Sequence, residues 1–134
     1  MNRIIKFKAF HNGKMIYRGL HDRNWYTSDN KLVQGVHPLD YHNLKVMQFT
    51  GYKDIDGKDI FEGDILGDWN DCDGKMVESR QTVYFDESLG CWMLDQSLNQ
   101  DQTYSSSLFE NLNDFLYKIV GNIYENAELL VKVS

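Results

Sequence analysis

The sequence predicts a mainly β protein: an N-terminal β-hairpin region over residues 1–45, then a small SH3-like barrel over residues 46–134 with one short helix near 108–117. Three observations carry that reading. Apolar and polar residues alternate in several short runs, Gly-containing turn signals separate those runs at short spacing, and helical periodicity is confined to one stretch near the C-terminus. A βαβ fold would need a helix between each pair of strands, and that pattern is missing.

The first run is IIKFKAF (4–10), with Ile5, Phe7 and Ala9 on one face and Lys6 and Lys8 on the other. Asn12-Gly13 follows, a pair that tolerates the positive φ angles of a type I′ turn, and MIYRGL (15–20) is the return strand. Residues 21–46 carry weaker patterns, with WYTS (25–28) and KLVQGV (31–36) as short strands around an irregular segment that includes Pro38. KVMQFTG (45–51) alternates again. Asp56-Gly57 is a second type I′ signal, and Gly63-Asp64 precedes the next strand. A glycine there permits a sharp bend, and an aspartate accepts turn N–H groups that lack partners.

An acidic loop, DWNDCDGK (68–75), separates that strand from SRQTVYFD (79–86), and ESLG (87–90) turns the chain into CWMLD (91–95). The polar stretch 97–107 reads as a surface loop. Leu108, Leu112, Phe115, Leu116 and Ile119 then recur at helical spacing, with Ser107 as N-cap and Glu110 three positions on. KIVGNIYEN (118–126) is the last strand, interrupted at Gly121, and AELLVKVS is a tail.

Composition limits the function classes. The chain has 134 residues, 42% of them hydrophobic and 25% charged, which is ordinary for one globular domain or two small lobes. No apolar run approaches the roughly 18 residues of a membrane helix, and the N-terminus lacks the basic-then-apolar order of a targeting peptide. The expectation is a cytoplasmic protein without membrane contact. Net charge is −6, unevenly spread: residues 1–67 hold ten Lys/Arg against eight Asp/Glu, residues 68–134 four against twelve. Halves of +2 and −8 attract each other weakly and favour self-association. The acidic half repels phosphates, so nucleic acid is a less favoured partner than protein, and only the barrel face or the basic N-terminal hairpin would serve such binding.

Candidate chemistry is sparse. Cys72 and Cys91 have no CxxC partner and read as free thiols. His11, His21, His37 and His42 form no HxxxH or HExxH pattern. Aligning Gly57 or Gly74 with the glycine of a calcium loop puts Tyr52 or Trp69 at the first ligand position and Gly63 or Arg80 at the last, so both alignments fail. Neither catalytic residues, metal ligands nor a cofactor are predicted, and a hydrolase is the least favoured reading. The aromatic residues are more informative. Trp25, Tyr26, Trp69, Trp92 and the eight tyrosines are many for this length; Phe85, Trp92 and Phe115 fall on faces predicted to be buried, while an exposed subset of the aromatics would stack on single-stranded nucleic acid or anchor a protein partner.

Two blocks carry a resemblance. The first comprises Gln48, Phe49, Thr50, Gly51, Asp54, Gly57, Ile60, Glu62, Gly63, Asp64 and Ile65; the second comprises Gly121, Asn122, Ile123, Glu125, Asn126, Glu128, Leu129 and Leu130. At these spacings the chain resembles the YopX family of phage and prophage proteins. Ala127 departs from that pattern, where proline commonly follows the asparagine. The resemblance implies a small β-rich protein of a bacterial host's cytoplasm, plausibly self-associating. It supplies no catalytic residues, and the motif residues read as mostly structural.

Overall fold

The fold is seen in a computed structural model that describes residues 6–19, 24–33, 44–77, 79–99 and 105–131. The chain divides into two compact units, Met1–Gly51 and Tyr52–Ser134. Both are built from antiparallel strands, so the protein is mainly β with one short helix.

In the first unit, β1 (Phe7–His11), β2 (Lys14–Arg18), β3 (Trp25–Tyr26), β4 (Leu32–Val33) and β5 (Lys45–Lys53) pair in the order β4-β3-β2-β1-β5. Strand β5 runs through the boundary, so its last two residues belong to the second unit. The β1–β2 hairpin turns at Asn12 and Gly13 with φ of 51° and 76°. Both signs are those of the type I′ turn that Asn-Gly favours. Alternation decides what is covered: Ala9 stands opposite Ile16, and these two cluster with Trp25 and Leu44 beneath Phe7 and Val33. The histidine-bearing stretch 37–42 lies outside the described residues.

The second unit contains β6 (Asp59–Phe61), β7 (Asp64–Asn70), β8 (Lys75–Met76), β9 (Gln81–Asp86), β10 (Cys91–Asp95), β11 (Ser105–Ser107), α1 (Leu108–Asp114) and β12 (Tyr117–Asn122). Its strand path is β11-β10-β9-β7-β12, with β8 attached to β7, and β6 pairs with β5. The path does not return on itself among the described residues, so the mainly β architecture expected from the sequence is realised here as an open antiparallel sheet. Ile60, Leu66, Val83, Leu94, Leu108 and Tyr117 form the core, each at most 2% exposed. Burying a side chain of this size contributes about 1.5–3 kcal/mol.

Several elements differ from the sequence expectation. The Asp56-Gly57 turn is not type I′: only Gly57 has positive φ, at 81°, and the connection closes through Gly57 N–H to Asp54 C=O and Asp54 N–H to Lys58 C=O. The acidic segment is a hairpin, because β7 continues to Asn70 and returns as β8 through the Trp69–Met76 pair. Ser105–Ser107, expected in a loop, pair with β10.

The helix begins as expected, with Ser107 Oγ accepting the Glu110 N–H, but stops at Asp114. Phe115 is already extended, and its N–H closes the last helical turn on Asn111 C=O. The next residues must enter the β7 ladder, so the period changes from 3.6 to 2. Tyr117 turns inward at 2% exposure, and Phe115 is left 57% exposed. Phe85 is likewise 41% exposed at the end of β9. Both phenylalanines were expected inside. Each lies near an element's end, where an aromatic neighbour, Trp92 for Phe85 and Tyr117 for Phe115, covers only part of the ring.

Candidate functional site

The two sequence blocks meet in space. Ile65 and Asp64 of β7 are register partners of Gly121 and Asn122 of β12, and the Ile123 N–H donates to Gly63 C=O at 2.9 Å. Gly63 takes φ of 86°, a left-handed value that an L side chain strains to adopt, and donates its N–H to Val83 C=O. At the same corner the buried Asp64 carboxylate accepts the Phe61 N–H at 2.7 Å.

Asp54 is buried, and its carboxylate bridges two segments. Oδ1 accepts the N–H groups of Asp56 and Lys58, both at 2.9 Å, and Oδ2 accepts the Ile119 N–H at 3.1 Å. Beside it the Ile55 N–H donates to Tyr117 C=O. Asn122 organises the second block: Oδ1 accepts from the N–H groups of Tyr124 and Glu125, and Nδ2 donates to Glu125 Oε1. The Asn126 side chain accepts the Asn122 N–H and lies over Gly121, where an added Cβ would be 2.5 Å from Asn126 Oδ1. Apart from the Asn122 Nδ2–Glu125 Oε1 pair these groups bind backbone, and together they tie the segments of the corner to one another.

Gln48, Phe49, Thr50 and Gly51 lie on β5 in the first unit, away in sequence from that corner. Phe49 and Thr50 are buried, and the Lys6 ammonium sits 5.0 Å from the centre of the Phe49 ring. Glu62 is half-buried beside the corner, and the pKa of the Tyr124 phenol is raised chiefly by burial and further by the Glu62 charge. Leu129 and Leu130 belong to the chain end, where Glu128 and Leu129 lie in a 3-10 helix, Ala127–Leu129, whose Leu129 C=O accepts from the Arg80 guanidinium at 3.1 Å.

Among the described residues no group of three or more His, Cys, Asp or Glu is arranged to hold a metal ion. Cys72 is exposed; Cys91 is half-buried on β10, with its thiol 3.6 Å from the Met93 sulfur. Asp68, also on β7, is partly buried. Burial raises its pKa, hydrogen bonds with Ser79 and Tyr117 draw it partly back, and its Oδ1 is buried without a partner.

The outer face of the β8–β7–β12 ladder has the properties of a contact surface. Trp69 faces Met76 across β7–β8, and Lys118 faces Gly67 across β7–β12. Because Gly67 has no side chain, Met76 and Val120 close over it: an added Cβ would lie 2.7 Å from Met76 Cε and 3.2 Å from Val120 Cγ1. The Lys118 ammonium stands 3.8 Å from the centre of the Trp69 ring, a close cation–π contact, and 3.7 Å from the Asp56 carboxylate. Met76, Val77 and Val120 are 41%, 46% and 39% exposed. Val120 is two positions past Lys118 and so shares its face of β12, just where the β7–β12 register shifts between Ile119 and Gly121.

Sequence reasoning counted Trp69 among the abundant aromatics without assigning it to a face, and it missed Met76, Lys118 and Val120. Their only sequence signal was the odd–even spacing of Gly67 and Trp69, which states that they share a face without naming its neighbours.

A profile of the family described as YopX protein matches residues 6–131. Among solved structures, the chain is similar to one titled "Crystal structure of protein EF1440 from Enterococcus faecalis", with 22% sequence identity, a TM-score of 0.57, and coverage of 96% of this chain and 99% of that one. That likeness concerns the fold. No curated protein matches.

Proposed function

This chain belongs to the YopX family, and from that premise we propose that it is a non-enzymatic accessory protein that works by binding protein, in the first place a second copy of itself. The observation that supports the reading is the face on which exposed Met76 and Val120 lie beside the half-buried Trp69. Tryptophan and methionine are enriched at the centres of protein interfaces, where a large apolar body is covered and water excluded.

Charge favours the second copy as occupant. Residues 68–134, which hold Trp69, Met76 and Val120, have net charge −8, with Asp68, Asp71 and Asp73 close to Trp69 in the sequence, while residues 1–67 carry +2. Opposite fields steer two copies together and set their register. The same acidity argues against single-stranded nucleic acid, although an aromatic ring under an ammonium is a stacking platform of the right kind. The resemblance to phage and prophage proteins supports action in the cytoplasm of a bacterial host, with a phage or host protein as a further partner.

Sedimentation velocity across the micromolar range tests the proposal. The wild type forms a dimer or larger species, and Trp69→Ala weakens association at least about tenfold. Val120→Glu, a change at an exposed position, does the same with an unchanged circular dichroism spectrum. A strict monomer at every concentration overturns self-association. A salt-dependent gel shift with single-stranded DNA, lost in Trp69→Ala, would replace the protein reading with a nucleic-acid one.

A further inference from the structure

The Met1–Gly51 unit holds a cavity of about 180 Å³ lined by Phe7, Arg18, Trp25, Leu44 and Val46. Strand register explains why these residues meet. Val46 stands opposite Ala9, Phe7 is two positions from Ala9, and Arg18, two positions past the Ala9 partner Ile16, stands opposite Trp25. Alternation therefore puts them on one face of the sheet. Val46 is 44% exposed and marks the open side of the cavity.

The walls are apolar, and the polar groups are donors. The Arg18 guanidinium carbon lies 5.7 Å from the centre of the Trp25 ring, a contact that orients the cation. Trp25 is 3% exposed, and its Nε1 is buried without a hydrogen-bond partner. Asp29 is the only carboxylate side chain among the described residues of this unit, and it is engaged by Thr27 and Lys31. Among the described lining side chains, Arg18 is the charged one, and a guanidinium donates and cannot accept.

We propose that this cavity binds a small monocarboxylate whose apolar body is about the size of one aromatic ring. Its size fits, since an apolar cavity of roughly 150 Å³ holds benzene. The carboxylate matches the planar guanidinium, which pairs with two oxygens at once. The ring-sized apolar walls select against small hydrophilic anions. The same chemistry is offered by a free aromatic acid and by the C-terminal residue of a peptide ending in phenylalanine.

Isothermal titration with benzoate, benzamide and acetate tests the site. Benzoate binds at one site per chain, and benzamide and acetate bind at least tenfold more weakly. Arg18→Gln weakens benzoate at least tenfold, Arg18→Lys less, and Val46→Trp blocks the open side; circular dichroism verifies that each variant is folded. A Gly-Gly-Phe peptide with a free C-terminus binding more tightly than both benzoate and its C-terminal amide identifies a chain end as the source; weaker binding than benzoate identifies a free acid. Equal binding of benzoate and benzamide, or no benzoate binding by the wild type, overturns the proposal.

Discussion

The carboxylate of Asp54 accepts a hydrogen bond from the backbone N–H of Ile119, 3.1 Å away and 65 positions later in the chain. One side chain thereby joins the β5–β6 turn to β12, while its other oxygen closes the turn itself. Asp54→Ala leaves three N–H groups without this acceptor and is expected to cost about 2–4 kcal/mol. Asp54→Asn keeps one acceptor oxygen and costs less. Urea unfolding monitored by circular dichroism orders the three proteins; equal stability of Ala and wild type would contradict the bridge.

Gly63 occupies the corner between the two sequence blocks at φ of 86°. Gly63→Val forces a β-branched residue into a left-handed conformation and is expected to destabilise by at least about 2 kcal/mol. Gly63→Ala is milder. If the valine variant kept full stability and lost only self-association, the corner would be a contact site and not a structural one.

Gly121 is glycine for a different reason. Its φ is ordinary, but an added Cβ would stand 2.5 Å from Asn126 Oδ1 and 2.9 Å from Asn126 Cβ. Gly121→Ala therefore displaces the Asn126 side chain and is expected to cost about 1–3 kcal/mol. Combined with Asn126→Gly, the two losses fall short of additivity, because the first change has already broken the Asn126 contact. A double-mutant cycle in urea measures that coupling, and strict additivity would rule it out.

Gly67 separates stability from surface shape. Its added Cβ meets the flexible end of Met76, which moves aside, and Val120 at 3.2 Å. Gly67→Ala is expected to change stability by less than about 1 kcal/mol while it reshapes the exposed face and weakens association by sedimentation.

Asp68 predicts a pH dependence. Its folded-state pKa is raised above the ordinary 3.8, chiefly by burial, so the folded protein holds a proton that the unfolded chain has released. Its favourable contribution is present below 3.8 and is lost as pH rises through the folded value. Asp68→Asn is therefore expected to stabilise the protein at pH 7, with a gain that shrinks as pH falls toward 3. Urea midpoints at the two pH values test it; a constant difference would show that the carboxyl titrates normally.

The local turns were legible because their chemistry is local. Asn12-Gly13 specifies a left-handed pair in any context, and Ser107 caps a helix with its own hydroxyl. The corner of Gly63 and Asp64 was also foreseen in kind, since a glycine and a carboxylate before a strand solve a backbone problem confined to a few residues.

By itself the sequence determined a mainly β chain, the β1–β2 turn, the helix start and the family blocks. Tertiary structure alone decided that the two blocks share one corner, that Phe85 and Phe115 face outward, and that Trp69, Met76 and Val120 form a surface. The same holds for the cavity beside Trp25. Period-two alternation states that a strand has two faces. Which face is covered depends on strands that arrive from far along the chain, and their pairing is settled by burial and hydrogen bonding over the whole sheet.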